Sequence, residues 1–293
     1  MHCRTITPAY SKKTLPYFLI VASFCLGCNK HETVLKFDLS KLVGDSFTYS
    51  FTHTNRTQWL SYESLDTMLA EINLKVINSN GKQNRIELTF VDLSHTTSHR
   101  NIAVSGLSLG SFHPEDSILA HTKGKKVEVV INDKGEVNSV NGADEILPAV
   151  ASEVRMDKRD ISGWLNDYTS AYAVQDILNR LFSVFPHRAV TIGEKWGNTI
   201  TLQSKAPINL NNLFSIEKEA KDSIYLKFES TIVGGTQGHF YLNGTGSGIV
   251  IINKNNNLPY LYESNSSSTT KTDSYEVHDW DKWLIHLKNH QTK

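Results

Sequence analysis

The sequence predicts a mainly β fold of the α+β class: one large curved antiparallel sheet, open-barrel-like, with a helical segment in its middle. Three observations predict it. Long stretches alternate apolar and polar residues with period two, as strands with one buried face do. Short Asn/Asp/Gly-rich segments separate these stretches at hairpin spacing. Between about residues 143 and 185 the pattern changes to a helical period.

Residues 46–59 (SFTYSFTHTNRTQW) set Phe47, Tyr49 and Phe51 on one face. Residues 69–77 set Ile72, Leu74 and Val76 against Glu71, Asn73 and Lys75, and 85–93 return after Asn78-Ser79-Asn80-Gly81. A second hairpin joins 126–131 to 136–140 through Asn132-Asp133-Lys134-Gly135. Residues 143–154 and 171–185 read as helices. In the second, Val174, Ile177, Leu178, Leu181 and Phe182 form an apolar stripe, and Pro186 ends it, because the residue before proline avoids the α region. Strands resume at 196–202, 213–219, 223–232, 239–242, 248–252 and 259–264. The serine/threonine run 265–272 is a solvated edge strand or a loop. Trp280, Trp283, Leu284 and Leu287 fall at helical spacing, so 279–290 is expected to be a short helix docked on the sheet and capped by Asp279 or Asp281. Residues 127–140 echo 249–262, strand then polar turn then strand, which suggests two pseudo-repeated halves.

The N-terminus reads as an export signal. His2, Arg4, Lys12 and Lys13 precede an apolar run at 15–26 (LPYFLIVASFCL). That run is shorter than the ~20 residues of a spanning helix and fits a removable signal peptide. Cys25-Leu26-Gly27-Cys28 resembles the lipobox of bacterial lipoproteins, with Cys25 where leucine is usual. The resemblance implies cleavage before Cys28 and lipidation of its thiol by palmitate-type chains. Each buried CH₂ contributes ~0.8 kcal/mol to anchoring. The expected organisation is a signal peptide at 1–27, a lipidated tether at 28–36 and a single β-rich domain at 37–293. Cys3, Cys25 and Cys28 are the only cysteines, so the mature chain keeps just the anchor and forms no intramolecular disulfide. Asn29, rather than aspartate, favours the outer membrane over the inner. A tether with Glu32 as its one acid favours the periplasmic face.

The chain is formally neutral and loses three basic residues with the leader. No basic tract remains to follow a phosphate backbone, which excludes nucleic acid as a partner. The expected partners are the membrane, through lipid on Cys28, and either a hydrophobic ligand or an envelope protein.

Signs of chemistry are sparse. Gly244-Thr245-Gly246-Ser247-Gly248 precedes a strand, whereas a phosphate loop needs a helix N-terminus. Gly246 also occupies the serine position of G-x-S-x-G. The segment predicts a glycine-rich bend in a sheet. Among twelve histidines, His95 and His99 are the closest regular pair. On a strand they lie about 13 Å apart, too far for one metal ion. Glu115 and Asp116 read as a turn, and Asp133 and Glu136 flank a hairpin tip. No catalytic residue, cofactor or metal ligand is therefore assigned, and Cys28 is the single site residue. The expected function is a non-enzymatic envelope binding module. A structural or accessory subunit of an envelope complex and a hydrolase are the alternatives.

Residues 124–140 (GKKVEVVINDKGEVNSV), 186–196 (PHRAVTIGEKW) and 244–260 (GTGSGIVIINKNNNLPY) are similar to motifs of domain-of-unknown-function family 6263, exported lipoproteins largely of Bacteroidota. The resemblance spans roughly residues 38–272. Glu194 stands where Asp is commoner, and Asn255-Asn256-Asn257 replaces a Thr-Gly turn. The family resemblance implies a β-rich lipoprotein fold and no activity, so it assigns no residue a role. Within 186–196, Pro186 is expected to stop a helix, Gly193 to turn the chain and Trp196 to enter the core.

Overall fold

The computed structural model describes residues 32–101, 108–109, 114–186, 188–202, 207–236 and 240–293. The leader and Cys28 lie outside the described residues. In chain order the elements are β1 (Glu32–Thr33), β2 (Ser46–Trp59), β3 (Tyr62–Ser79), β4 (Gln83–Asn101), β5 (Ser108–Leu109), α1 (Pro114–Leu119), β6 (Lys126–Asn132), β7 (Val137–Asn141), α2 (Ala143–Val154), α3 (Lys158–Thr169), α4 (Ala171–Phe182), β8 (Val190–Thr191), β9 (Lys195–Leu202), β10 (Ile208–Glu219), β11 (Ser223–Thr236), β12 (Phe240–Asn253), β13 (Pro259–Thr272) and β14 (Glu276–Gln291).

One twelve-stranded sheet runs β7-β6-β4-β3-β2-β14-β13-β12-β11-β10-β9, with β5 added on β4. β1 pairs with β8 apart from it. An N-terminal half (β2–β7) and a C-terminal half (β9–β14) meet where β14 pairs antiparallel with β2, so the last strand completes the sheet at its centre.

The sheet does not close, and β7 and β9 are its edges. Helix α4 lies between them. Asn179 Oδ1 accepts from the β7 amide of Val137 at 2.8 Å, and Gln175 Nε2 donates to the Val137 carbonyl at 3.4 Å. On the other side, Trp196 Nε1 of β9 donates to Val184 O at 3.1 Å, and the Asn198 amide bonds Ser183 O. Bare strand edges invite pairing with other chains, and a covering helix removes that hazard. The α4 stripe supplies the packing: Val174, Leu178, Leu181 and Phe182 are buried, and Ser170 caps the helix by accepting from Ala173 N. Phe182 and Phe185 hold Phe37 at ring distances of 5.1 and 5.6 Å. Together with Tyr49, Leu74, Leu88 and Val129 they fill the base of the curved sheet as a dry core.

Several expectations need correction. Residues 276–291 form a strand, not a helix, and Asp279 and Asp281 cap nothing. Trp283 and Ile285 are buried on one face of β14, and Trp280 is exposed on the other. Two flanking strands, β13 and β2, offer that segment hydrogen bonds along its length, and this tertiary pairing overrides a modest helical preference. The serine/threonine run is neither an edge nor a loop, but lies inside the sheet between β12 and β14. Residues 239–242 and 248–252 do not make two strands: β12 is continuous through the glycines. Helix α3 was unforeseen, α4 ends at Phe182 rather than Phe185, and Glu115 and Asp116 fall in α1. The echoing hairpins occupy different places, β6–β7 at an edge and β12–β13 within the sheet.

Candidate functional site

The inner face of the sheet changes character along its strands. Level with the top of the helices runs a cross-strand row of Trp196, Phe214, Phe228, Gly248, Ser264, Trp283, His53, Met68 and His95, each opposite the next. Two residues further along every strand the row is Asn198, Asn212, Ser230, Gly246, Ser266, Asp281, Asn55, Asp66 and Thr97, with no apolar side chain. This polar belt bonds to itself. Asn212 Nδ2 donates to Asn198 Oδ1 at 2.9 Å, Ser230 to Asn212, Asn55 Nδ2 to Asp281 Oδ1 at 2.9 Å and Thr97 Oγ1 to Asp66 Oδ1 at 2.6 Å.

Beyond the belt the halves diverge. On β9–β12 the inner face turns apolar again, with Ile200, Leu210 and Ile232 buried against Leu202, Ile208 and Leu242. On β14 and β2 it stays polar, through Asp279 and Thr57. Gly244, Gly246 and Gly248 separate the two wings. A Cβ on Gly248 would lie 2.2 Å from Glu263 O and 2.5 Å from the Phe228 ring, and one on Gly244 would lie 2.4 Å from Ser267 O. Only glycine permits this bend, which folds one wing toward the other. The sequence segment is the sheet bend it was expected to be.

Two adjoining clefts of about 350 and 390 Å³ open above α4 and share His53, Asn55, Asp176 and Trp283. The first has Leu202, Leu210, Ile232 and Leu242 on one wall and Ser266, Ser268, Asp279 and Asp281 on the other. The second reaches Asp66, His95, Asp167 and Tyr168.

Neighbouring carboxylates here have opposed environments. Burial pushes the Asp281 carboxyl up. The bond from His53 Nε2 (2.9 Å), the His53 charge, the Asn55 bond and the Arg180 charge outweigh it and hold Asp281 below the ordinary carboxylate range. At Asp279 burial wins. The 2.6 Å bond from Thr57 Oγ1 opposes it, the Asp281 charge adds to it, and the carboxyl is raised. Burial also raises Asp167, against the pull of His95. Burial works against the charge of Arg180. Asp176, one turn earlier at 3.1 Å, and Asp281 more than restore it. The Arg180 guanidinium lies 4.7 Å from the centre of the Trp283 ring, and His53 stacks on that ring at 4.0 Å. Five aspartates thus line clefts that hold one arginine and two histidines.

The structure brings Asp279, Asp281 and His95 into this site. His99 sits four residues along β4 on the same face, in the row of Asp279. Asp133 and Glu136 stay at the β6–β7 tip, where Glu136 accepts from Asn132 Nδ2 at 2.8 Å. Trp196 is core, and Gly193 turns the chain with φ +83°. Sequence reasoning missed His53, Asn55, Asp66, Asp167, Asp176 and Arg180. Among the described residues no group of three His, Cys, Asp or Glu is arranged to hold a metal ion, and no helix is long and apolar enough to cross a membrane.

No curated protein sequence matches the chain. Among solved structures, lipovitellin is similar at a TM-score of 0.52 and 8% identity, over 85% of this chain and 26% of that one. The chain therefore spans about a quarter of lipovitellin's length, and the likeness is one of fold. The β domain of the Bordetella autotransporter BrkA matches at a TM-score of 0.33 and 10% identity, over 82% of this chain and 98% of that domain. The sequence profile of the family of unknown function DUF6263 matches residues 71–259, which is more than half of the chain, and the protein belongs to that family.

Proposed function

We propose that this protein is an envelope lipoprotein, anchored through lipid on Cys28 at the outer membrane and facing the periplasm, that binds an amphiphile with a cationic head. One observation carries the binding reading: a single cleft has an apolar wall around Leu210 and Ile232 and, across the glycine bend, a wall bearing Asp279 and Asp281. Hydrocarbon against the first wall gains roughly 25 cal/mol per Å² removed from water. An ammonium group beside the second meets the carboxylates of Asp279 and Asp281. A wholly apolar ligand fits less well, because it would strip water from the belt of Asn, Ser and Asp side chains without replacing those hydrogen bonds. The cleft volumes suit a small ligand. Lipovitellin, described for its lipid–protein interactions, offers a fold-level parallel.

Native mass spectrometry of protein released gently from membranes tests the binding reading, with an amphiphile adduct as the expected result. Ligand-free protein that also gains no thermal stability from long-chain amines would sink it. Intact mass tests the anchor separately: acylated Cys28 is expected, and a free thiol or a retained leader refutes it.

A hydrolytic reading has the His53–Asp281 pair in its favour, with Ser266 opposite Asp281 on the next strand. It requires turnover of long-chain esters that His53→Ala abolishes.

A further inference from the structure

The open end of the sheet carries a feature that the cleft does not explain. Trp59 pairs with Tyr62, so Leu60 and Ser61 form a two-residue hairpin loop between β2 and β3. Such loops need left-handed backbone at their first central residue or at both, and Asn, Asp or Gly normally supplies it. Here Leu60 holds φ +51°, a conformation that crowds a branched side chain against its own backbone. No buried contact compensates, for Leu60 is 71% exposed. A strained residue with no structural return points to use of its side chain.

The neighbours share the character of Leu60. Trp59 and Tyr62 are exposed, and Tyr275, from the adjacent β13–β14 turn, sets its ring 5.9 Å from Trp59 and is exposed too. Trp59 and Tyr62 continue the inner-face parity of Thr57 and Ser64, so they stand at the rim of the cleft. Most charges nearby are paired, Arg56 with Glu63 at 2.9 Å and Lys271 with Glu276 at 3.0 Å, and Asp273 of the β13–β14 turn is a lone exposed carboxylate.

We infer that this tip, Trp59-Leu60-Ser61-Tyr62 with Tyr275, inserts into the interfacial layer of a lipid bilayer. Trp and Tyr carry apolar rings with a polar handle, which suits the headgroup boundary, and the leucine at the apex suits the acyl chains below it. A protein partner fits less well. Two hairpin turns present far less than the roughly 800 Å² per side of a stable interface. The inference stands on the tip alone and does not depend on what the cleft binds.

The test uses residues 29–293, the chain without its leader, which contain no cysteine. A polarity-sensitive dye is attached at Ser61→Cys or, as a control, at Lys134→Cys on the distant β6–β7 turn. Vesicles of phosphatidylethanolamine and phosphatidylglycerol carry a spin-labelled lipid quencher. The tip dye is expected to shift to the blue and to be quenched several-fold more than the control. Leu60→Asn is expected to raise the thermal midpoint, by relieving the backbone, while lowering tip quenching severalfold. A merely structural role would not move the two readouts in opposite directions. Tip quenching no greater than that of the control overturns the inference. So does undiminished quenching in the Leu60→Asn variant, or a tip that cross-links to an envelope protein while its dye stays in water.

Discussion

Asp279 and Asp281 point from one strand into one cleft, yet their effects on stability have opposite signs. The Asp281 carboxyl is depressed in the fold. Its contribution is present above the unfolded carboxylate value and is lost as pH falls through the lower, folded one. Asp281→Asn forfeits charge-assisted bonds to His53 and Asn55 and should cost about 1–3 kcal/mol at pH 7. The Asp279 carboxyl is raised, so the native state holds its proton more tightly than the unfolded state does. Stability therefore falls as pH climbs from the unfolded value through the folded one. Asp279→Asn should raise the thermal midpoint at pH 7, with the gain fading as pH drops below the ordinary carboxylate range. Thermal melts of both variants across pH check the signs. A group that destabilises the fold at neutral pH is the kind of residue retained for binding rather than for folding. Gly135 is its structural counterpart. It holds φ +79°, and a Cβ there would lie 1.9 Å from Phe182 O, where the β6–β7 turn abuts the end of α4. Gly135→Ala should cost at least ~2 kcal/mol, or roughly 4–8 °C in Tm, with no change in ligand binding.

At the scale of elements, β14 decides whether there is one sheet or two. It lies between β13 and β2, where, among the described residues, the strands of the C-terminal half join those of the N-terminal half. Ending the chain at Tyr275 removes Trp283 and Ile285 from the core and bares two long strand edges. Circular dichroism and light scattering should then report loss of the cooperative fold and aggregation, not a slightly weakened protein. The same element shows why the sequence hid the site. The long strands β2, β3 and β14 are apolar on their inner face near the helices and polar on that same face beyond them. In β2 the parity of Phe47, Tyr49 and Phe51 continues as His53, Asn55 and Thr57. In β14 that of Ile285 and Trp283 continues as Asp281 and Asp279. Period-two reading finds the first part and assigns the second to solvent. Trp280, Trp283, Leu284 and Leu287 imitate a helix because they come from both faces of a strand. The hairpins β3–β4 and β6–β7 were legible, since their inner faces are apolar wherever they pack on the helices and their turns carry Asn-Gly or Lys-Gly. Asp176 and Arg180 belong to an i,i+4 pair that looks like an ordinary exposed helix pair until β14 passes over it.

For the molecule as a whole, the helices fill only the base of the curved sheet, and the glycine bend keeps the rest folded over a cleft with unlike walls. The sequence made the mainly β class and the central helices readable from local periodicity. The unlike walls arise from register between distant strands, with Asn55 and Asp281 226 residues apart, which no local window contains. If those walls recognise the two ends of one ligand, stabilisation must depend on both ends. A ligand that binds only the native state raises stability by RT ln(1 + [L]/Kd), about 2.7 kcal/mol at a hundredfold excess over Kd. Short single-chain amphiphiles below their micellar concentrations provide the probe. An alkylammonium should raise Tm, an alkyl sulfate of equal chain length should not, and tetramethylammonium without the chain should fall between them or have no effect. Asp279→Asn with Asp281→Asn should erase the preference for positive charge while leaving a residual chain-length dependence. Leu210→Ser should do the reverse, removing chain-length dependence while sparing the charge preference. Because the two walls lie on opposite sides of the glycine bend, these losses should be separable in the single-wall variants, and coupled only in a ligand long enough to touch both.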